Sequence, residues 1–278
     1  MNLNWLQSIL YGFLSGLMDI LPVSAQAHQT LLIKFFGVKG DMLFMDLLIH
    51  IGILAALYYH SRSQIIRISR AKALSQVPKR KGKRPLDVRS LMDLRFLQTT
   101  LIPIVLGLFL YQYTQTLNKS LMLLSGFLFL NGIILYIPQF LPTGNRDSRT
   151  LSRVEGLLMG LGGAVSILPG FSAVGVSASV ASVCGIERSY GLAMALMMNL
   201  FLTAGFLVYD VIAIIGQGMG TITFGILLRY LVTALCAFCG TTLGIRGMQH
   251  FAQNNGYADF GLYCAGMAMF TFILNLLA

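Results

Sequence analysis

Polar residues that can do chemistry surround a proline in an otherwise apolar stretch near the start of the chain. Asp19 precedes Pro22, and Ser24 and His28 follow it. A carboxylate can hold a cation or accept a proton, an imidazole can attack or exchange protons, and a hydroxyl can donate to an anion. A structural role is the alternative, in which Asp19 caps a broken helix and His28 bonds a freed carbonyl.

A second proline turn carries small and hydroxyl residues. Gly170, Ser172 and Ser177 follow Pro169. The hydroxyls can donate to phosphate oxygens, but small hydroxyl residues equally allow helices to pack closely. The composition of this turn leaves both interpretations open.

Another polar pair lies between the two turns. Asp46 and His50 are four residues apart, so a helix places them on one face. They could extend a polar pocket or form a proton path, and mutual satisfaction in a core explains them equally well. Asp210 interrupts a different apolar stretch, and the sequence offers no explanation for it.

The composition indicates that these residues are surrounded by a membrane. The 278 residues are 56% hydrophobic and 11% charged, with a mean hydropathy of +0.73, whereas soluble domains are about 25% charged. Windows such as 42–59 and 121–137 are almost free of charge and continuously apolar, which favours spanning helices over strands of alternating polarity. We therefore predict an all-α integral membrane protein with one membrane domain, 1–278.

An internal repeat predicts the architecture. The pattern Gly-x-x-x-Ile-Leu-Pro begins at Gly16 and again at Gly163, 147 residues later. Proline breaks a helix, and the freed backbone groups are tolerated at membrane depth only inside protein or a wet cavity. Both motifs therefore predict re-entrant hairpins, at about 5–37 and 154–186. The predicted spanning helices are six in number, at about 42–60, 96–113, 119–138, 190–215, 219–245 and 257–277.

Counting the passes places the two hairpins on opposite faces of the membrane. That arrangement is typical of inverted-topology repeats, here about 1–138 and 150–278, whose broken tips meet near the midplane. We therefore predict that His28 and Ser172 share one cavity.

The positions of lysine and arginine orient this arrangement. Eleven of the 20 cations lie between Arg62 and Arg95, in a predicted loop at 61–95. Counting passes places 16 cations on the side of this loop and four on the other, so the loop is predicted to be cytoplasmic. No aromatic stacking platform accompanies the loop, so we predict no nucleic-acid partner.

These motifs together are similar to the undecaprenyl-pyrophosphate phosphatase family, the bacitracin-resistance membrane phosphatases that regenerate the lipid carrier of bacterial peptidoglycan synthesis. The resemblance runs over nearly the whole chain, through residues 15–28, 45–52, 102–103 and 168–172. It implies a multi-pass protein of the bacterial plasma membrane that hydrolyses a polyprenyl diphosphate. A divalent cation, Mg or Ca, is the candidate cofactor, and a homodimer is left open.

The resemblance also implies roles for individual residues. Asp19 would hold the cation or act as a base, and His28 would be the nucleophile or an acid/base group. Ser24 would join them in catalysis by donating to phosphate. The residues that would bind the substrate are Gln26, His50, Gly170, Ser172 and Ser177.

Two departures from the family pattern weaken the expected activity. The family has a glutamate where this chain has Ser15 and an arginine where it has Ala173. A bidentate guanidinium is the strongest protein ligand for phosphate, and losing such a clamp costs on the order of a thousandfold in rate. Hydrolysis is therefore expected to be weak or lost. The alternative is a non-catalytic transporter or binder of the same lipid on this scaffold.

Overall fold

A computed structural model describes residues 3–38, 42–76, 87–217, 223–254 and 256–277. Within these ranges the fold is helical, and the only β pairing is an isolated bridge between Arg146 and Ile186. The all-α prediction is therefore confirmed. The α-helices are α1 Trp5–Ile20, α2 Ala25–Phe35, α3 Leu43–Ser75, α4 Val88–Thr114, α5 Leu121–Tyr136, α6 Arg153–Ala164, α7 Ala173–Val183, α8 Arg188–Gln217, α9 Phe224–Asn254 and α10 Ala258–Leu277.

Six of these helices, α3, α4, α5, α8, α9 and α10, are long and apolar enough to cross a membrane. Their number matches the prediction, and the protein is a multi-pass membrane protein. The remaining four helices are shorter and form two pairs, α1 with α2 and α6 with α7, each interrupted at a proline turn.

The predicted loop at 61–95 is helical at both ends, which corrects its boundaries. α3 continues to Ser75 and α4 already begins at Val88, while 77–86 lies outside the described residues. The hydropathy falls where the charged residues begin, and this fall predicted a loop. Arginine, lysine, glutamine and alanine are nevertheless good helix formers, so the helix continues through them. Ile68 and Ala71, three residues apart, are also buried on one face of the extension. Burial of this face keeps the charged segment helical.

A buried carboxylate in α4 connects several segments near the α3–α4 connection. Asp93 of α4 is inaccessible to solvent and accepts hydrogen bonds from Arg67 Nη2 at 2.9 Å, Ser148 Oγ at 2.5 Å and the Tyr190 hydroxyl at 3.0 Å. The donors come from α3, from the segment before α6 and from α8. A buried charge needs such partners, so the four segments are held in a fixed arrangement.

Serine residues begin the second helix of each interrupted pair. Ser24 precedes α2, and its Oγ accepts the backbone N–H of Ala27; Ser172 precedes α7, and its Oγ accepts the N–H of Gly175. Such side-chain caps satisfy amide groups that have no partner at the start of a helix. Pro22, just before Ser24, disfavours helical backbone at the preceding residue, so α1 ends there.

The two proline turns contact each other directly. The N–H of Gly170 donates to Ser24 Oγ at 3.1 Å, and Ser172 Oγ donates to the carbonyl of Leu21 at 3.3 Å. Asn131 of α5 bridges them, because its Nδ2 donates to the carbonyl of Pro22 and its Oδ1 accepts the N–H of Ser172. Backbone groups freed at one turn are thus satisfied by the other turn.

Glycines allow very close helix packing in both halves of the chain. In α1, a Cβ added at Gly12 or Gly16 would lie 2.3 or 2.1 Å from a backbone oxygen of α9. In α6, a Cβ at Gly160 would lie 2.2 Å from a backbone oxygen of α4. A Cβ at Gly156 would lie 2.2 Å from the side-chain Oγ1 of Thr99, also in α4. The helix α1 therefore packs on α9 as α6 packs on α4, through a Gly-x-x-x-Gly pair in each case.

This packing predicts a steric effect on stability. Gly16→Ala places a methyl group 2.1 Å from the carbonyl oxygen of Ala237, and we expect it to destabilise the protein by about 1–3 kcal/mol. Gly126→Ala is the matched control, because nothing lies within 4 Å of its added Cβ and alanine has the higher helix propensity. Thermal unfolding in neutral detergent measures both. Equal melting temperatures for the two variants would contradict the assigned contact.

Candidate active site

A polar cavity of about 550 Å³ lies where the two proline turns meet the spanning helices. At one end it is bounded by the exposed Lys34 of α2, by Leu43 at the start of α3 and by Asn118 just after α4. These residues lie at the ends of their helices that are remote from the cationic α3–α4 connection. The cavity is therefore nearer the opposite end of the molecule.

A histidine–aspartate pair lines the cavity. His50 Nδ1 lies 2.6 Å from Asp210 Oδ2, and the two side chains are 16% and 5% exposed. A carboxylate only accepts hydrogen bonds, so the proton between them is on Nδ1 and His50 is the donor. In neutral His50 this leaves Nε2 as an acceptor. The unexplained Asp210 thus has a defined partner, 160 residues away in the sequence.

Two further carboxylates lie close to this pair. Asp19 Oδ2 accepts a hydrogen bond of 2.7 Å from Asn199 Nδ2, and the hydroxyl of Tyr11 donates to Asp46. Both carboxylates line the cavity and are near enough to His50 to interact with its charge. Asp19, Asp46 and His50 are therefore part of one polar network.

The N-termini of two helices border the cavity. Ala25 and Gln26 from the first turn of α2 line it, as do Ser172 and Ala173 at the start of α7. The first turn of an α-helix carries backbone N–H groups without intrahelical acceptors and a partial positive charge. Two such termini at one cavity make it suited to an anion.

The structure separates the predicted site residues into two groups. Asp19, Gln26, His50 and Ser172 line the cavity. The Oγ of Ser24 instead caps α2 and receives the N–H of Gly170, so both residues form the contact between the turns. Ser177 is buried between α6 and α7 and donates to the carbonyl of Met159.

His28 points toward α10 instead. Its Nδ1 bonds the carbonyl of Ser24 at 2.8 Å, and its Nε2 bonds the hydroxyl of Tyr263 at 2.8 Å. It does not line the polar cavity but borders an apolar groove of about 430 Å³, together with Met18, Leu31 and Phe270. The bond to the Ser24 carbonyl, at the start of α2, corresponds to the structural role that the sequence left open for His28. His28 thus borders the apolar groove, whereas Ser172 lines the polar cavity.

The two positions that depart from the resembled pattern also differ in location. Ala173 lines the cavity, so an arginine there would have reached it. Ser15 is buried in α1 and does not line the cavity, and its Oγ has no hydrogen-bond partner. The described residues that line the cavity therefore include no arginine, and the cationic side chains among them are Lys34 and, when protonated, His50.

The residues present do not form a metal site on their own. Within the described ranges no three His, Cys, Asp or Glu side chains are grouped to hold an ion. Asp19 is bonded to Asn199, Asp210 to His50 and Asp46 to Tyr11. Divalent cations need several oxygen ligands, so these carboxylates, each bonded to a different partner, do not fit such an ion.

Three residues that hold the ionisable groups of the cavity were not predicted from the sequence as site residues. Asn199 and Tyr11 hold carboxylates in place, and Asp210 holds His50. Asp210 could have been found, because placing a carboxylate within an apolar helix costs free energy and therefore indicates a specific role. Asn199 and Tyr11 gave no such signal, because neutral polar side chains are common in membrane helices.

The fold and this cavity define a multi-pass helical membrane protein with a polar site between two interrupted helix pairs. The family model described as "Bacitracin resistance protein BacA" matches residues 8–270, and the chain belongs to this family. The resemblance inferred from the motifs is confirmed.

Curated relatives carry one functional name. The chain is 29% identical over 264 residues to an undecaprenyl-diphosphatase of Methanobrevibacter smithii, with 93% of each chain covered. It is 24% identical over 288 residues to an undecaprenyl-diphosphatase of Desulforapulum autotrophicum, covering 98% of this chain and 99% of the relative. A third undecaprenyl-diphosphatase, from Thermosipho melanesiensis, is 25% identical over 268 residues, covering 96% and 98%.

Proposed function

We propose that this protein hydrolyses a polyprenyl diphosphate of the undecaprenyl type to the monophosphate and inorganic phosphate. The observation that carries the proposal is the polar cavity bordered by the N-termini of α2 and α7. Half-helices that start at a membrane-depth cavity direct positive dipole ends toward an anionic group. The names of the relatives favour hydrolysis over the lipid-transport alternative.

A polar cavity beside an apolar groove suits the two parts of this substrate. Lys34 lines both the cavity and the groove that contains Leu31 and Met267. The diphosphate would occupy the cavity beneath the two helix N-termini. The first part of the prenyl tail would leave past Lys34 along the groove, where burial of apolar surface stabilises it.

We assign the proton transfer to His50. Its Nε2 accepts a proton from a water molecule as the water oxygen attacks the terminal phosphorus. The bond from that phosphorus to the bridging oxygen breaks, and polyprenyl monophosphate leaves with the bond's electron pair. Asp210 holds the imidazole by its Nδ1–H and stabilises the imidazolium that forms, as carboxylates do for catalytic histidines.

The electrostatics of the cavity make this reaction slow. Three carboxylates, from Asp19, Asp46 and Asp210, line the cavity, while Ala173 offers no charge. Anionic side chains repel a diphosphate, and the helix N-termini compensate only part of this repulsion. We therefore expect weaker hydrolysis than an arginine-containing site would support.

In the proposed membrane arrangement, the two interrupted helix pairs are re-entrant hairpins of inverted repeats. Equivalent packing of α1 on α9 and of α6 on α4 supports the repeats. The α3–α4 connection is on the cytoplasmic side, because its cations outnumber those of the other side. The cavity then faces outward.

Cysteine labelling tests this orientation. In a background with the four native cysteines replaced, Ser75→Cys at the end of α3 should be protected from an impermeant thiol reagent in intact cells. Thr116→Cys, after α4, should react, since both positions are exposed but lie at opposite ends of the helices. The reverse pattern would overturn the orientation.

The proposed function is tested by release of inorganic phosphate from undecaprenyl diphosphate by the purified protein. His50→Gln, which removes the proposed base, distinguishes activity at this cavity from a contaminant in the same assay. We expect release by the wild type and a large loss in the variant.

A further inference from the structure

A second large polar groove, the arginine groove, lies between α4 and residues 148–157. Its volume is about 710 Å³, and Arg95, Arg149 and Arg153 line it. It contacts the first part of α4, whereas the active-site cavity contacts Tyr111 and Asn118 beyond it. The two sites are therefore at opposite ends of the same helix.

Among the residues that the structure describes, two of the three arginines have no carboxylate partner. Arg149 binds Asp147 with Nη2 2.8 Å from Oδ2, and Arg89 lies 3.9 Å from the same oxygen. The hydrogen bonds and charge of Arg149 hold the pKa of the Asp147 carboxyl below its usual value, so it is ionised at neutral pH. Arg95 and Arg153 are in no ion pair formed by described residues. The groove thus has uncompensated positive charge.

The wall that carries Arg149 and Arg153 is held in position by buried and part-buried hydrogen bonds. Ser148 is bound to Asp93 at 2.5 Å. Arg146 donates two hydrogen bonds to the Glu155 carboxylate, from Nη1 to Oε1 at 2.5 Å and from Nη2 to Oε2 at 3.2 Å. Its Nη1 also donates to the carbonyl of Cys184. A fixed wall lowers the entropy lost when a ligand binds.

The other part of the groove is apolar and lies beside exposed apolar side chains of α4 and α6. Arg95 is the last charged residue before an uncharged run from 96 to 118. Ile102, about two turns further along α4, lines the groove and is 52% exposed. Leu158 and Leu161 of α6 are 45% and 51% exposed. The arginines therefore lie where charge ends and the apolar surface begins.

We propose that the arginine groove binds a glycerophospholipid with a net negative headgroup. The phosphate would lie between Arg95 and Arg153, whose guanidinium groups form strong charge-assisted hydrogen bonds to phosphate oxygens. An acyl chain would run along Ile102 on the exposed surface. A soluble anion would leave this apolar half unused, and basic pockets between helices at a membrane surface are suited to lipid headgroups.

Native mass spectrometry of the full chain in neutral detergent tests this proposal. The protein is titrated with phosphatidylglycerol or with phosphatidylcholine of the same acyl chains. We expect preferential retention of phosphatidylglycerol, and an affinity roughly 20- to 30-fold lower for Arg95→Gln/Arg153→Gln, since each cation near an anionic lipid contributes about 1 kcal/mol. Arg70→Gln/Lys72→Gln is the matched control, with two exposed cations removed from α3 outside the groove.

Several outcomes would overturn the proposal. An equal loss in the control would indicate attraction to the whole basic surface. Equal retention of the two lipids, or full competition by glycerol 3-phosphate, would exclude an anionic lipid site. If the glutamine variant does not fold, Arg95→Lys/Arg153→Lys keeps the charge and should retain preferential binding with reduced affinity, because lysine lacks the bidentate geometry. Undiminished affinity or a complete loss in this folded variant would contradict the proposed arginine contacts.

Discussion

His50→Gln will lower the rate of phosphate release by about 10²- to 10⁴-fold, the range over which a positioned general base contributes. Glutamine keeps a polar side chain of similar reach but cannot accept a proton. His60→Gln is a matched control, because His60 is on the same helix but lines a different cavity. Release of inorganic phosphate under single-turnover conditions measures both variants. An unchanged rate for folded His50→Gln would remove the proton-transfer role.

Asp210→Asn separates positioning from catalysis. The amide can donate to Nδ1 and thus favours the tautomer with the proton on Nε2, which cannot act as a base. We expect a large loss of rate, with binding of a non-hydrolysable diphosphate lipid affected much less. A purely structural role of Asp210 would instead change binding, rate and melting temperature together.

Ala173→Arg will increase hydrolysis by about tenfold or more. Ala173 lines the cavity at the start of α7, so a guanidinium there can clamp the diphosphate and offset the three carboxylates. Ala173→Lys supplies a point charge and should give a smaller gain, and Ala173→Leu adds bulk without charge and should give none. Rates are compared at equal amounts of folded protein, judged by melting temperature.

A folded Ala173→Arg protein without a gain would contradict the view that a missing clamp limits the rate. The variant is also a useful background for His50→Gln. A tenfold or greater loss is easier to measure there than in the slow wild type. Ala173→Arg changes charge stabilisation and His50→Gln changes proton transfer. Their effects on the activation free energy should therefore add, unless the two side chains touch.

The sequence predicted those features that depend on local physical chemistry. Continuous apolar windows predicted the number of long helices. Pro22 and Pro169 predicted the two interruptions, because proline disfavours helical backbone at its immediate neighbours. The end of α3 at Ser75 was missed because a charged amphipathic extension looks like a loop in hydropathy alone. Arg67 of this extension donates a hydrogen bond to Asp93, 26 residues further along the chain, and no local pattern specifies that partner.

The site was predicted less completely for a related reason. Asp19 was proposed because ionisable groups are costly in apolar surroundings, and His50 because it shares a helix face with Asp46. The partner of His50 is 160 residues away, and no local pattern specifies that pairing. His28 is on the expected helix, but its side chain faces Tyr263 rather than the cavity. The direction of a side chain depends on which neighbours offer a hydrogen bond, and the linear sequence does not contain that information.

The most direct test of the proposed function is the stoichiometry of products from undecaprenyl diphosphate. Purified wild-type protein in neutral detergent is incubated with the lipid, with and without Mg²⁺ or Ca²⁺, and inorganic phosphate and undecaprenyl monophosphate are both quantified. We predict slow release of the two products in equal amounts, and loss of that release in Asp210→Asn and His50→Gln proteins that remain folded. No release above that of a mock purification, or release that is unchanged in both variants, would contradict hydrolysis at this cavity.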